Sequence, residues 1–212
     1  MEPVAQSIGG KSRLPPEGPF TWDDFVALPD DDRRELIDGA LIEVEVPNYD
    51  HEYIVAMIAY FLTAWARPRK AGDTLLSGYK IRVSDRQGVM PDVQFFRAGH
   101  TVRKQPQGLT EGHPDLAVEV ISQSSIRYDR VTKLGWYARI AVPEYWIVSP
   151  EQRTVERLLL RDGQYVFSGS AADEEVFVPD TFPGLEIPLA ELWSTNGAGT
   201  DAPGERRVKN SA

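Results

Sequence analysis

The chain has no cysteine among its 212 residues, which excludes disulfides and thiolate metal sites outright. Its three histidines, His51, His100 and His113, are too few for a histidine-rich zinc site. A resident metal is therefore expected on oxygen ligands, which suits magnesium, manganese or calcium. No apolar run approaches the ~20 residues of a membrane helix. Met1 to Gly18 also lacks the apolar segment of a signal peptide. The expectation is a cytoplasmic protein with no membrane partner. Basic residues are outnumbered 23 to 32, giving a formal net charge of −9. That balance argues against holding nucleic acid by non-specific electrostatics alone. It leaves room for an enzyme whose acids hold metal and whose basic residues are local.

The hydrophobic share of 42% suffices for one core. Residues 1–18 and 194–212 are rich in Gly, Pro and Ser, and read as flexible tails around a single domain over 19–193. Thr21 is an N-cap for a short helix ending near Pro29. Asp38-Gly39 marks a hairpin between two apolar runs. Ile54, Ile58, Phe61, Leu62 and Trp65 recur at helical spacing in a segment expected to end before Pro68. Tyr79, Ile81 and Val83 alternate with Lys80 and Arg82 as a half-buried strand. Further strands are expected around Asp92, at 116–121 and at 144–148, with a helix at roughly 129–140 between the last two. Such a unit favours a parallel pair. A second hairpin turns at Asp162-Gly163. The order predicts an α/β fold with a mixed central sheet flanked by helices, plus N- and C-terminal β-hairpin additions.

Asp92 follows Pro91 in a β-rich segment, and Glu119 lies inside the apolar run Leu116-Ala117-Val118-Glu119-Val120-Ile121. A charge there needs a compensating partner, and a divalent cation is one. The alternatives are a turn role for Asp92 and an ion pair from Glu119 to Arg82 or Arg130. Asp129, Lys133 and Tyr137 share one helix face by their i, i+4 and i+8 spacing. Two carboxylates and a lysine on neighbouring elements suit metal-dependent phosphodiester cleavage. Otherwise Lys133 is a solvated helix residue.

Pro91-Asp92-Val93, Asp115 to Ser122, Lys133 to Ala138 and Val142 to Val148 together resemble the bacterial Uma-two family, restriction endonucleases of the PD-(D/E)XK nuclease superfamily. Glu35 to Gly39 and the His51 region are similar to that family's N-terminal half. The resemblance implies a restriction-endonuclease-like fold and Mg2+-dependent hydrolysis of DNA, with Mn2+ as a substitute, by a homodimer. It implies Asp92 and Glu119 as metal ligands, with the Val120 carbonyl as a further oxygen. The lysine expected two residues after Glu119 is replaced by Ile121, and Lys133 stands at the family's position on the following helix. Gln123 replaces a proline common in the family. Glu35 is a candidate third carboxylate or water-orienting group, or else a charge at a strand start. His51 is a candidate phosphate or water contact, or else a helix cap. Tyr79, Trp136 and Trp146 read as core. Arg67, Arg69, Lys70, Arg97, Arg103, Lys104, Arg127 and Arg130 form a phosphate-binding rim or are merely solubilising.

Overall fold

The computed structural model describes residues 18–29, 32–44, 46–99, 108–122 and 125–193. The expected tails lie outside them, Gly18 aside, as do Asp30, Asp31, His100, Arg103, Lys104 and Gln123.

Thr21 caps α1 (Trp22–Val26) through a capping box with Asp24. Strands β1 (Arg34–Ile37) and β2 (Ala40–Glu43) form the expected hairpin. Its turn residues Asp38 and Gly39 have φ of 50° and 83°, as a two-residue hairpin turn requires. Asn48 caps α2 (Tyr49–Arg69), accepting from the His51 N–H. This helix runs through Pro68, contrary to the stop expected before it. A proline in the last turn forfeits one hydrogen bond. The left-handed cap at Lys70 then closes onto the carbonyls of Ala66 and Arg67.

The chain continues through β3 (Gly72–Leu76), β4 (Lys80–Ser84), β5 (Gln87–Val89), β6 (Val93–Arg97), β7 (Gly108–Leu109) and β8 (Leu116–Val120). A π-helical turn over Tyr128–Lys133 leads directly into α3 (Leu134–Arg139). There follow β9 (Glu144–Ser149), β10 (Thr154–Arg161), β11 (Gln164–Ala172), β12 (Val176–Phe177) and β13 (Ile187–Pro188). β3 was not legible in the sequence.

Six strands make the central sheet in the order β11-β10-β9-β8-β6-β3. Within it β8 and β9 are parallel, as expected of strands joined through a helix. The C-terminal hairpin β10–β11 extends this sheet. The N-terminal hairpin instead joins a second, five-stranded sheet, β2-β1-β5-β4-β7. β5 and β6 thus belong to different sheets, and Met90-Pro91-Asp92 crosses between them. Proline has no N–H to continue a ladder, so pairing stops there.

Alternation along β8 divides the core. Leu116, Val118 and Val120 pack with α2, Phe95, Trp146 and Phe182. Ala117 and Ile121 pack on the other side with Trp136, Tyr137, Tyr145 and Ile147. Glu119 falls on the second face, beneath the π-helical turn and α3. Lys80 departs from its expected solvent face and is buried. Its Nζ donates to the Leu28 carbonyl and lies over the Phe25 ring, because α1 covers that side of β4.

Candidate active site

Asp92 sits one residue ahead of the Val93↔Val118 pair of the antiparallel β6–β8 ladder. Continuing the register places it across from Glu119, on the same face of the sheet. Its Oδ2 accepts from the Val120 N–H at 2.8 Å, which ties the crossing segment to the end of β8. Glu119 is buried, and its cation is neither Arg82, which pairs with Asp85, nor Arg130, which pairs with Glu156. Lys133 fills that role, its Nζ 3.0 Å from Glu119 Oε1. The Tyr137 hydroxyl donates to the same oxygen at 2.5 Å.

Lys133 is not a solvated helix residue. It is 6% exposed, with Glu35 Oε1 and Asp129 Oδ1 each 3.5 Å from its Nζ. Nor is Glu35 an exposed strand-start charge. It is 1% exposed, accepting from the Met90 N–H at 2.9 Å and the Tyr128 hydroxyl at 2.8 Å. His51 does not cap its helix with its side chain, since Asn48 does so. Its Nε2 lies 3.2 Å from Asp92 Oδ2 instead. The structure therefore brings Glu35, His51, Asp92, Glu119 and Lys133 together, with the Val120 backbone beside them. Asp129 and Tyr137 join them by the helical spacing already noted. Tyr128 was missed, because only the π-helical turn carries it to Glu35; no signal in the sequence marks such a turn.

Four carboxylates, Glu35, Asp92, Glu119 and Asp129, surround the single ammonium of Lys133. Burial pushes the Glu119 carboxyl well above the usual carboxylate range; Lys133 opposes this, while Asp92, Asp129 and Glu35 reinforce it. Asp129 is raised as well, again chiefly by burial. Burial works against the Lys133 charge, but Glu119, Glu35, Asp129 and Asp92 outweigh it and hold the ammonium protonated. His51 behaves alike: burial disfavours its charge, yet Asp92 carries its pKa above the ordinary value.

The donor chemistry fits a hard cation. Asp92 and Glu119 use Oδ2 and Oε1 in the contacts above, so Oδ1 and Oε2 take no part in them. The surplus of buried carboxylate over ammonium is what a divalent ion would offset. Among the described residues no three His, Asp or Glu side chains form a metal-binding group by themselves. The candidate set is two carboxylates, which on a hard cation leaves positions for water and substrate.

Three residues of the expected basic rim are committed elsewhere. Arg130 makes a two-pronged pair with Glu156, Arg97 reaches the Thr181 carbonyl over the Phe182 ring, and Arg69 stacks on Trp65. Trp136 and Trp146 are core as expected.

A family model described as "Putative restriction endonuclease" (Uma2) matches residues 22–190, and the chain belongs to that family. Among solved structures, it is similar to one from Anabaena variabilis described as "a putative nuclease belonging to DUF820". That match has 17% identity and a TM-score of 0.67, covering 82% of this chain and 98% of the other. The fold is thus the α/β, restriction-endonuclease-like one. No curated protein matches the chain. Among the described residues, no helix is long and apolar enough to cross a membrane.

Proposed function

We propose that this chain is a metal-dependent endonuclease that hydrolyses phosphodiester bonds of DNA, using Mg2+ with Mn2+ as a substitute. It acts in the cytoplasm as a homodimer, so that two sites face two strands. The observation that carries this reading is the buried Lys133 ammonium 3.0 Å from Glu119, across the sheet register from Asp92.

Asp92 and Glu119 would hold the cation, with the Val120 carbonyl as a further oxygen. Such an ion lowers the pKa of a water it binds and offsets phosphate charge. Lys133, kept charged by its ring of acids, orients the attacking water and balances charge developing on the phosphate. Glu35 fixes Lys133 and is itself held by Tyr128 and the Met90 N–H. His51 donates from Nε2 to Asp92 and orients its carboxylate. Tyr137 does the same for Glu119.

The test is cleavage of plasmid and single-stranded DNA with magnesium or manganese by the wild type, Asp92→Ala, Glu119→Ala and Lys133→Ala. Loss of cleavage in all three folded variants is the expected result. Metal-independent cleavage, or activity that survives loss of Glu119, would overturn the site. DNA binding without cleavage would point to a non-catalytic member of the fold. Turnover of small phosphoesters alone would point to a phosphoesterase.

A further inference from the structure

The buried residues of α2, Ile54, Val55, Ile58, Leu62, Trp65 and Ala66, lie on one side of the helix, and His51 faces the same way. The opposite side carries Tyr49, Tyr53, Ala56, Tyr60, Thr63 and Arg67. Their spacing alternates between four and three residues along the whole helix, the pattern of a helix–helix seam. A surface helix normally presents polar residues outward. Here Tyr49 and Tyr60 are each 60% exposed, and Tyr49 lies nearly parallel to Tyr53 with ring centroids 6.2 Å apart. Ala56, Thr63 and Ala64 leave a groove beside Tyr60 and Arg67.

We infer that this outer face of α2 is a self-association seam, on which a second copy of the chain packs its own α2 antiparallel. Two features select that occupant. The first is size. In a two-fold antiparallel pair Tyr60 lies opposite Ala56 of the second copy, and Tyr53 lies opposite Thr63. Tyr60 and Tyr53 therefore each meet a smaller residue, as knobs-into-holes packing needs. The second is charge. The first turn of α2 is acidic through Asp50 and Glu52, while its last turn is basic. Arg69 of that last turn is occupied with the Trp65 ring and carbonyl, but Arg67 lies on the seam. Antiparallel packing sets Arg67 against Tyr49 and the acidic turn of the other copy, and the two-fold axis repeats that contact at both ends. Parallel packing would instead oppose acid to acid and base to base. The inference does not rest on the nuclease reading; it gives the proposed dimer a surface.

The test uses the full chain in sedimentation equilibrium and light scattering. Wild type is expected to give twice the monomer mass. Ala56→Glu, which sets a carboxylate against Tyr60, is expected to raise the dimer dissociation constant about tenfold or more while the circular dichroism spectrum stays unchanged. Arg67→Glu protein and Asp50→Lys/Glu52→Lys protein are each expected to dissociate. Mixing them restores opposite charges at both ends, and heterodimer should form. A variant that failed to fold would show no such recovery. A monomeric wild type, a dimer indifferent to Ala56→Glu, or charge variants with native circular dichroism that remain dissociated on mixing would overturn the seam. DNA cleavage by a chain shown to be monomeric would separate this failure from failure of the nuclease reading.

Discussion

Two buried ionic clusters lie on opposite faces of the central sheet, and they are built differently. Arg157 Nε donates to Glu144 Oε1 at 2.7 Å, and Trp146 Nε1 donates to the same oxygen. The Thr181 hydroxyl meets the other Glu144 oxygen, and Arg157 also reaches Asp180. The buried acid there, Glu144, has one matched cation, Asp180 being exposed, and the cluster pins the segment around 180 to β9 and β10. Around Lys133 buried acid is in excess, with three carboxylates within 3.5 Å of one ammonium and two of them raised in pKa. A matched cluster stabilises a fold, whereas a surplus of buried acid is tolerated where a cation or substrate is to complete it.

Breaking each cluster should therefore have different consequences. Lys133→Ala or Glu119→Gln is expected to lower cleavage by about 10²–10³-fold. Far-ultraviolet circular dichroism should remain that of wild type. Arg157→Ala should do the reverse, costing about 3–5 kcal/mol in urea unfolding by leaving Glu144 buried and unpaired. Cleavage per folded molecule should hardly change, and a proportional loss of activity would erase the distinction. His51→Ala removes an orienting contact to Asp92 and should weaken magnesium activation about tenfold, read from the metal dependence of rate.

The smallest expected effect concerns an ion pair outside both clusters. The Arg34 hydrogen bond holds the Asp32 carboxyl below its ordinary value of 3.8, more than burial raises it. A group depressed on folding lends stability above its unfolded pKa and withdraws it as pH falls through the folded one. Nuclear magnetic resonance titration should show Asp32 returning toward its ordinary value in Arg34→Ala. Acid unfolding of that variant should lack only a minor contribution, because the pair is partly solvated.

Much of the candidate site is visible in the sequence because its chemistry is anomalous there. Glu119 interrupts an apolar strand, Asp92 follows a proline, and Lys133 shares a helical face with Asp129 and Tyr137. Glu35 is harder to read, since it follows the charged run 30–34 and only the Tyr128 and Met90 contacts explain its burial. The division into two sheets is hidden for a similar reason. Three residues, Met90-Pro91-Asp92, look like a pause within one strand yet carry the chain from one sheet to the other. β3 has an edge position and a half-exposed pattern, which leave no periodicity to detect. Lys80 obeys alternation, but its burial depends on where α1 lies.

The π-helical turn has a consequence for how such a site is lost or regained in descent. Each residue of an α-helix turns the next by about 100°. Removing one residue from the turn, such as the exposed Val131, would swing the Lys133 ammonium off Glu119 while leaving every strand intact. Because the lysine rides on a helix, Ile121 can serve the core beside Trp136. The sheet then needs no repair when the ammonium departs, so the cluster can be gained or lost by changes confined to the helix.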